Sequence, residues 1–259
     1  MRSLILSGIG RMVEAHAQIK KVLFKNMGNF TCWHVMGILN RKDKDYDAAR
    51  RAYLQALKCN ANNESVMRDL CQLQMHLRDY TGFKETRRLL LLKHPDEMEC
   101  WTAYATSCYL SGDLENCISS VTSIMRFEAQ VDQKPMRPNH KLEVVVLAVK
   151  TMERMGNYQK AIEFLNENNA LFVDHLQREE LTARLFAKMG FENKAIDHYE
   201  NLLEFNSCNY ETYYAILQTK GLKLFDDFGK QCSLNDEDKQ TIKDSMNKYK
   251  RAFPKVNAH

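Results

Sequence analysis

Four prolines and ten glycines in 259 residues are few. Both residues interrupt helices, so their scarcity leaves nearly the whole length free to be helical. No run of about 18 apolar residues occurs, which excludes a membrane-spanning helix. The opening stretch MRSLILSGIGRMVEAHAQ has a brief apolar run that passes straight into a charged amphipathic pattern, so it does not read as a signal peptide. The eight cysteines (Cys32, Cys59, Cys71, Cys100, Cys108, Cys117, Cys208 and Cys232) form no C-x-x-C and pair with no histidine at zinc-ligand spacing. They read as reduced packing thiols of a cytosolic protein, and no metal site is expected. There is no G-x-G-x-x-G, no P-loop, no G-x-S-x-G and no H-E-x-x-H. The eight histidines are scattered. His34 is better read as structural or solvent-facing than as catalytic. The i, i+4 pair Glu163 and Glu167 is most simply a solvated helix face. No catalytic residue is assigned.

What the chain does have is a period. In WHVMGILNRKDKDYDAARRAYLQA (33–56), counting from Phe30 as position 1, Trp33 is at position 4, Gly37 at 8, Tyr46 at 17, Ala49 at 20, Tyr53 at 24 and Ala56 at 27. That spacing is the signature of a tetratricopeptide repeat (TPR), a 34-residue helical hairpin. Small residues mark where helices cross closely, and the large aromatics fill the space between them. One repeat cannot bury this face alone, so repeats stack. A second repeat starts at Glu64, with Tyr80 in place but Phe83 and Arg87 where Ala and an aromatic are expected. A third starts at Met98 with Trp101, Ala105 and Gly112. Residues 132–141, DQKPMRPNHK, carry two prolines and read as an inserted loop. The period resumes at Leu142 with Gly156, Tyr158 and Ala161, and at Leu176 with Gly190, Ala195 and Tyr199. A degenerate repeat starts at Tyr210, with a long connection (GLKLFDDFGKQCSLNDEDK) and a last helix running to about Phe253. In front, Gly10, Ala15 and Val22 fit positions 15, 20 and 27 of a partial repeat over 1–29. The expected fold is therefore all-α, a right-handed TPR superhelical solenoid. TPR-type repeats fill 1–131 and 142–259, and the absence of polar caps suggests a piece of a longer solenoid.

Charge is uneven. Residues 1–93 hold 17 Lys and Arg against 8 Asp and Glu, a balance of +9; the rest hold 20 against 25, a balance of −5. Arg41, Lys42 and Lys44 cluster in the first inter-helix turn. Arg50 and Arg51 follow on the next helix, and Lys84, Arg87 and Arg88 lie on the equivalent helix one repeat later. A 34-residue offset stacks the two sets. They read either as a ridge for phosphate backbone or as an ordinary outer face partly neutralised by Asp43, Asp45, Asp47 and Glu85. The two-carboxylate clamp by which some TPRs hold chaperone tails is not matched: its positions fall on His34, Ile38, Asp69, Glu99 and Ala103.

Beyond the repeat consensus, several features stand out. They are the Cys32-Trp33-His34-Val35 start, the Arg41…Asp43-Lys44…Tyr46 turn, and the Arg68-Asp69-Leu70…Leu73-Gln74…Arg78-Asp79 segment leading to Thr86-Arg87. Together they resemble the N-terminal TPR region of the auxiliary (scaffold) subunit of the N-terminal acetyltransferase A (NatA) complex. The likeness is tight over about 30–115 and looser over 140–253. It implies a non-catalytic scaffold, cytoplasmic and ribosome-associated, that holds a catalytic acetyltransferase subunit. Acetyl-CoA would bind that partner, so this chain itself is expected to carry no cofactor. Ribosomal RNA and the exit-tunnel region would be touched by Arg41, Lys42, Lys44, Arg50, Arg51, Lys84, Arg87 and Arg88. The alternative is a generic TPR adaptor in RNA processing or protein-complex assembly.

Overall fold

The computed structural model describes residues 2–130, 137–172, 174–207, 209–222 and 235–252. Every regular element among them is helical. Two compact units meet in sequence at Val131 and Asp132.

The first unit holds α1 (Arg2–Gly8), α2 (Met12–Lys25), α3 (Phe30–Lys42), α4 (Tyr46–Cys59), α5 (Glu64–His76), α6 (Tyr80–Lys93), α7 (Met98–Ser111) and α8 (Leu114–Gln130). The second helix of each pair starts at Met12, Tyr46, Tyr80 and Leu114, and the first helices of the three full pairs at Phe30, Glu64 and Met98. Side-chain caps set most of these starts, though not those at Met12 and Met98. Asn29 and Asn63 accept from the backbone of Cys32 and Val66, while Asp45 and Asp79 accept from Ala48 and Gly82. Between the helices of a pair the chain turns through one residue at positive φ. The four are Gly10, Lys44, Arg78 and Gly112. Two of the four therefore carry a cationic side chain in a conformation that favours glycine.

Packing explains the period. Ala15, Ala49 and Cys117 are fully buried at 0 % exposure, as are Ala56 and Ala105. Gly37 faces the ring of Tyr53, itself fully buried, and a Cβ there would overlap the ring. Trp33 and Trp101 tie their repeats to the preceding turns: each indole Nε1–H donates to the carbonyl six residues earlier, Met27 and Pro95, at 2.7 Å. The second repeat departs from the consensus for a visible reason. Phe83 is buried with Met67, Cys71 and Leu90, and Arg87 lays its guanidinium 5.3 Å from the centre of that ring. The aromatic has moved to the small position, and the residue that replaces it lies across its face. In the partial front repeat Ala15 is buried, but Val22 is 43 % exposed, and Ile19 and Leu23 face the core instead.

The second unit holds α9 (Pro138–Arg154), α10 (Tyr158–Glu167), a short 3-10 turn (Asn169–Leu171), α11 (His175–Met189), α12 (Glu192–Phe205), α13 (Tyr210–Thr219) and α14 (Asp236–Ala252). Gly156, Gly190 and Gly221 take the left-handed turns, and Ala161 and Ala195 are fully buried. Of the expected loop over 132–141, residues 132–136 lie outside the described ones, and 138–141 are helical. Pro138 opens α9 at its first position, where a missing N–H is no loss. The fourth repeat's first helix therefore starts ahead of Leu142. Of the long connection after Thr219, residues 223–234 lie outside the described ones and 236–239 already belong to α14. The expected helix end at Phe253 also lies outside. Tyr249 of α14 is buried with Ala183, Tyr199 and Ile216, and its hydroxyl is 3.1 Å from Glu200.

Two substitutions test this account. Gly37→Ala gains helix propensity of up to about 1 kcal/mol, but forces the Tyr53 ring aside, for a net loss of about 1–2 kcal/mol. The loss shrinks in a Tyr53→Leu background, as a thermal-melt double-mutant cycle reads. Lys44→Gly relieves the left-handed backbone and raises stability by roughly 1 kcal/mol in the same assay.

Candidate functional site

The cations marked by the sequence divide into two groups once their partners are known. Arg50 Nη1 reaches Asp79 Oδ2 at 3.2 Å, and Lys84 Nζ reaches Asp113 Oδ2 at 3.1 Å. These are one contact repeated 34 residues on. In each, a cation in the second helix of one repeat bonds the aspartate that begins the second helix of the next. Asp79 and Asp113 also accept from the backbone N–H groups of Gly82 and Asn116, so each caps its own helix and ties its repeat to the one before. Arg41 lies 3.6 Å from Asp69. Lys42 donates to the Ser7 carbonyl and hydroxyl, both at 3.0 Å. Arg88 pairs along its own helix with Glu85 at 3.1 Å. Arg87 covers Phe83. Lys44 and Arg51 are exposed, and neither meets a partner among the described residues. The sequence ridge is thus brought together in register, but its middle rungs, Arg50 and Lys84, serve the stack.

Histidines join the same network. His34 Nε2 is 2.7 Å from Asp69 Oδ2, so two of the positions a carboxylate clamp would use hold each other. His16 meets Asp43 at 2.6 Å, His94 meets Glu64 at 3.0 Å and His198 meets Glu179 at 2.6 Å. Inside the second repeat the Thr86 hydroxyl donates to Gln74 Oε1 at 3.0 Å. Asp69, Gln74 and Asp79 are therefore polar contacts between helices, and Arg87 stacks on Phe83 of its own helix. These are the residues that made the second repeat look unlike a generic TPR.

The sequence did not assign Asp79 and Asp113 this double role, although aspartate at 45, 79 and 113 was a readable signal. Among the described residues no three His, Cys, Asp or Glu side chains converge as a metal site, and no helix is long and apolar enough to cross a membrane. Cys71, Cys108 and Cys117 are buried, and burial pushes the Cys71 thiol up to about 11.

Comparison with known proteins shows what this chain resembles. Residues 140–259 match the family model described as "N-terminal acetyltransferase A, auxiliary subunit". That segment is thus similar to NatA auxiliary subunits. The likeness extends across the chain: a mouse NatA auxiliary subunit, N-alpha-acetyltransferase 16, is 30% identical over 238 residues, covering 89% of this chain and 27% of that protein. The solved structure of Naa15/Naa10 bound to HypK-THB matches at 28% identity with a TM-score of 0.77, over 100% of this chain and 37% of the matched one. A TPR protein from Parabacteroides merdae shares the fold, with a TM-score of 0.52 at 14% identity, over 100% of this chain and 91% of that one. The chain is thus similar to the N-terminal TPR region of NatA auxiliary subunits, and it spans about a quarter of the length of the curated relatives it matches. The NatA relatives are named as auxiliary rather than catalytic subunits, in line with a non-enzymatic reading of the sequence.

The bridging aspartates set a pH dependence. Burial works against charge on Asp79, but the Gly82 N–H, the Thr81 hydroxyl and Arg50 outweigh it and hold the carboxyl below its usual range. Asn116 and then Lys84 hold Asp113 down against burial. A carboxyl depressed in the folded state contributes stability above its unfolded pKa, and that contribution fades as pH falls through the folded value. Between about pH 5 and about pH 3 the melting temperature should fall further for the native chain than for the Asp79→Asn, Asp113→Asn double variant. Parallel falls in the two would contradict the assignment.

Proposed function

We propose that this chain is part of a non-catalytic scaffold of a co-translational protein N-terminal acetyltransferase. It holds the catalytic subunit, which carries acetyl-CoA and the catalytic base, and it anchors the assembly to the ribosome in the cytoplasm. The observation that carries the reading is the match along the whole chain to an auxiliary subunit solved together with Naa10, supported by curated NatA relatives over 89% of the chain.

The ribosome part rests on charge. The N-terminal 93 residues have 17 Lys and Arg against 8 Asp and Glu, and long-range attraction to RNA phosphate needs cations that the protein does not already neutralise. By that measure Lys44 and Arg51 are the leading contacts. Arg41, Lys42, Arg87 and Arg88 are secondary, and Arg50 and Lys84 act mainly by keeping the repeats in register.

The test separates these roles. Lys44→Glu with Arg51→Glu should weaken ribosome co-sedimentation, flatten its salt dependence by about one to two phosphate contacts and leave the melting temperature within a few degrees. Arg50→Glu with Lys84→Glu should lower the melting temperature. Unchanged sedimentation of the first variant at low salt would remove the RNA role. Purification of the native complex without a stoichiometric acetyltransferase subunit would remove the scaffold role.

A further inference from the structure

The second helices of the first unit carry an outer pattern that repeat packing does not require. The last two turns of α2, α4 and α6 are residues 19–25, 53–59 and 87–93, and none of them contains an Asp or Glu. Positions 34 residues apart stand in equivalent places on successive repeats. One such row is Lys20, Leu54 and Arg88; the row one turn further on is Phe24, Lys58 and Leu92. All six are exposed, Phe24 at 94 %, Leu92 at 65 % and Leu54 at 43 %. Cations and apolar groups therefore alternate along each row and between the two. Lys21, Lys25 and Leu89 border the rows and are exposed as well. Lys20, Lys21, Lys25 and Lys58 meet no partner among the described residues, while Arg88 is held by Glu85. Lys25 and Lys58 lie in last helical turns, where they complement the helix dipole. Lys20 and Lys21 have no such role, and Phe24, Leu54 and Leu92 stand in water without a packing reason.

We infer that this strip on the outer helices docks an acidic amphipathic helix of a partner protein. Unpaired lysines with no carboxylate among them fix the sign of the partner's charge and favour its approach. The alternation fixes the rest. Groups that cover Phe24, Leu54 and Leu92 must stand beside groups that answer the lysines, and a helix with an apolar stripe flanked by Asp or Glu offers both at one-turn intervals. Single apolar side chains on a surface are ordinary. Phe24, Leu54, Leu89 and Leu92, set among cations on three successive repeats, make a patch. A nucleic-acid backbone would answer the cations but give the leucines nothing to pack against. An anionic bilayer takes up a continuous apolar face that sinks below the headgroups, and interleaved cations break that face up. The strip makes no use of Lys44, and it stands whether or not the chain binds a ribosome.

Fluorescence anisotropy of the full chain with labelled Glu-Leu-Leu-Glu-Glu-Leu-Leu-Glu-Glu-Leu-Leu-Glu tests this. The same peptide with Lys for Glu, and the same with Ala for Leu, serve as comparisons. The acidic amphipathic peptide should bind, and both comparisons should bind about tenfold more weakly or worse. Lys20→Glu with Lys58→Glu should weaken binding about tenfold or more. Phe24→Ser with Leu92→Ser should weaken it by a similar factor and leave the melting temperature within a few degrees, since both side chains are already in water. Lys160→Glu, on the exposed face of α10, should leave binding unchanged. No binding of the acidic peptide by about 1 mM would overturn the proposal, as would equal binding of either comparison or equal loss in Lys160→Glu. Unchanged binding in Phe24→Ser, Leu92→Ser would reduce the strip to plain charge attraction and overturn it too. Binding of poly(U) RNA or of phosphatidylserine vesicles without binding of the peptide would give the strip to nucleic acid or lipid instead. A concentration-dependent dimer that Phe24→Ser, Leu92→Ser abolishes would give it to a second copy of the chain.

Discussion

Each helical pair described in full turns through one residue at positive φ: Gly10, Lys44, Arg78, Gly112, Gly156 and Gly190. Consecutive ones are 34 residues apart within each unit. The turn ends the first helix and delivers the chain to the cap of the second, so it fixes where the two helices cross. The crossing fixes which side chains must be small. Gly37 is under the Tyr53 ring because the pair closes there, and Ala49, Ala56, Ala105, Ala161 and Ala195 are fully buried for the same geometric reason. Two of the six turns use Lys and Arg. A strained side chain of about 1 kcal/mol is tolerable because the caps and cores on both sides over-determine the turn.

The electrostatics follow from the same register. A 34-residue step puts Arg50 and Lys84 in equivalent places, but it does the same for Asp79 and Asp113, and the two series meet. An isolated exposed pair is worth little, about 0.2–1 kcal/mol. Here each aspartate also caps a helix, a contribution near 1 kcal/mol, so loss of its charge is felt at a helix end and at a repeat boundary together. Net charge is therefore a poor guide to available charge. The excess of nine positive charges over residues 1–93 includes several side chains already bound to the protein, and a polyanion sees chiefly those left in solvent.

The fold was legible because it is periodic. Trp33, Gly37, Tyr46, Ala49, Tyr53 and Ala56 state the repeat locally, and stacking leaves few alternatives. Boundaries were legible where caps and glycines mark them and not at Pro138, whose reading as a loop residue ignored the preference of proline for the first helical turn. The candidate site was only half legible. Sequence spacing showed which cations share a face, but not which carboxylate lies 3 Å away, since Arg50 and Asp79 are 29 residues apart and meet only after stacking. His34 and Asp69 were noted separately, as a clamp that fails, and their pairing supplies the reason. The pairing of Arg184 and Lys188 with one buried glutamate had no sequence signal either, because Glu153 looks like any solvated glutamate until the helices stack.

The charge asymmetry read from the sequence thus acquires a different meaning in each unit. In the first, Arg41, Arg50 and Lys84 are engaged by aspartates of the next repeat, Lys42, Arg87 and Arg88 by Ser7, Phe83 and Glu85, and Lys44 and Arg51 remain in solvent. In the second, Arg184 and Lys188 are both engaged by the buried Glu153, while glutamates such as Glu180 and Glu211 remain in solvent. In both cases the exposed surplus is what the stack did not need for itself. A solenoid in which each repeat touches only its neighbours allows this division. Register is maintained by pairs between adjacent repeats, and any charged residue outside those pairs is free to meet a partner. In a chain similar to NatA auxiliary subunits, the binding faces are then best sought at the unpaired charges rather than at the densest ones.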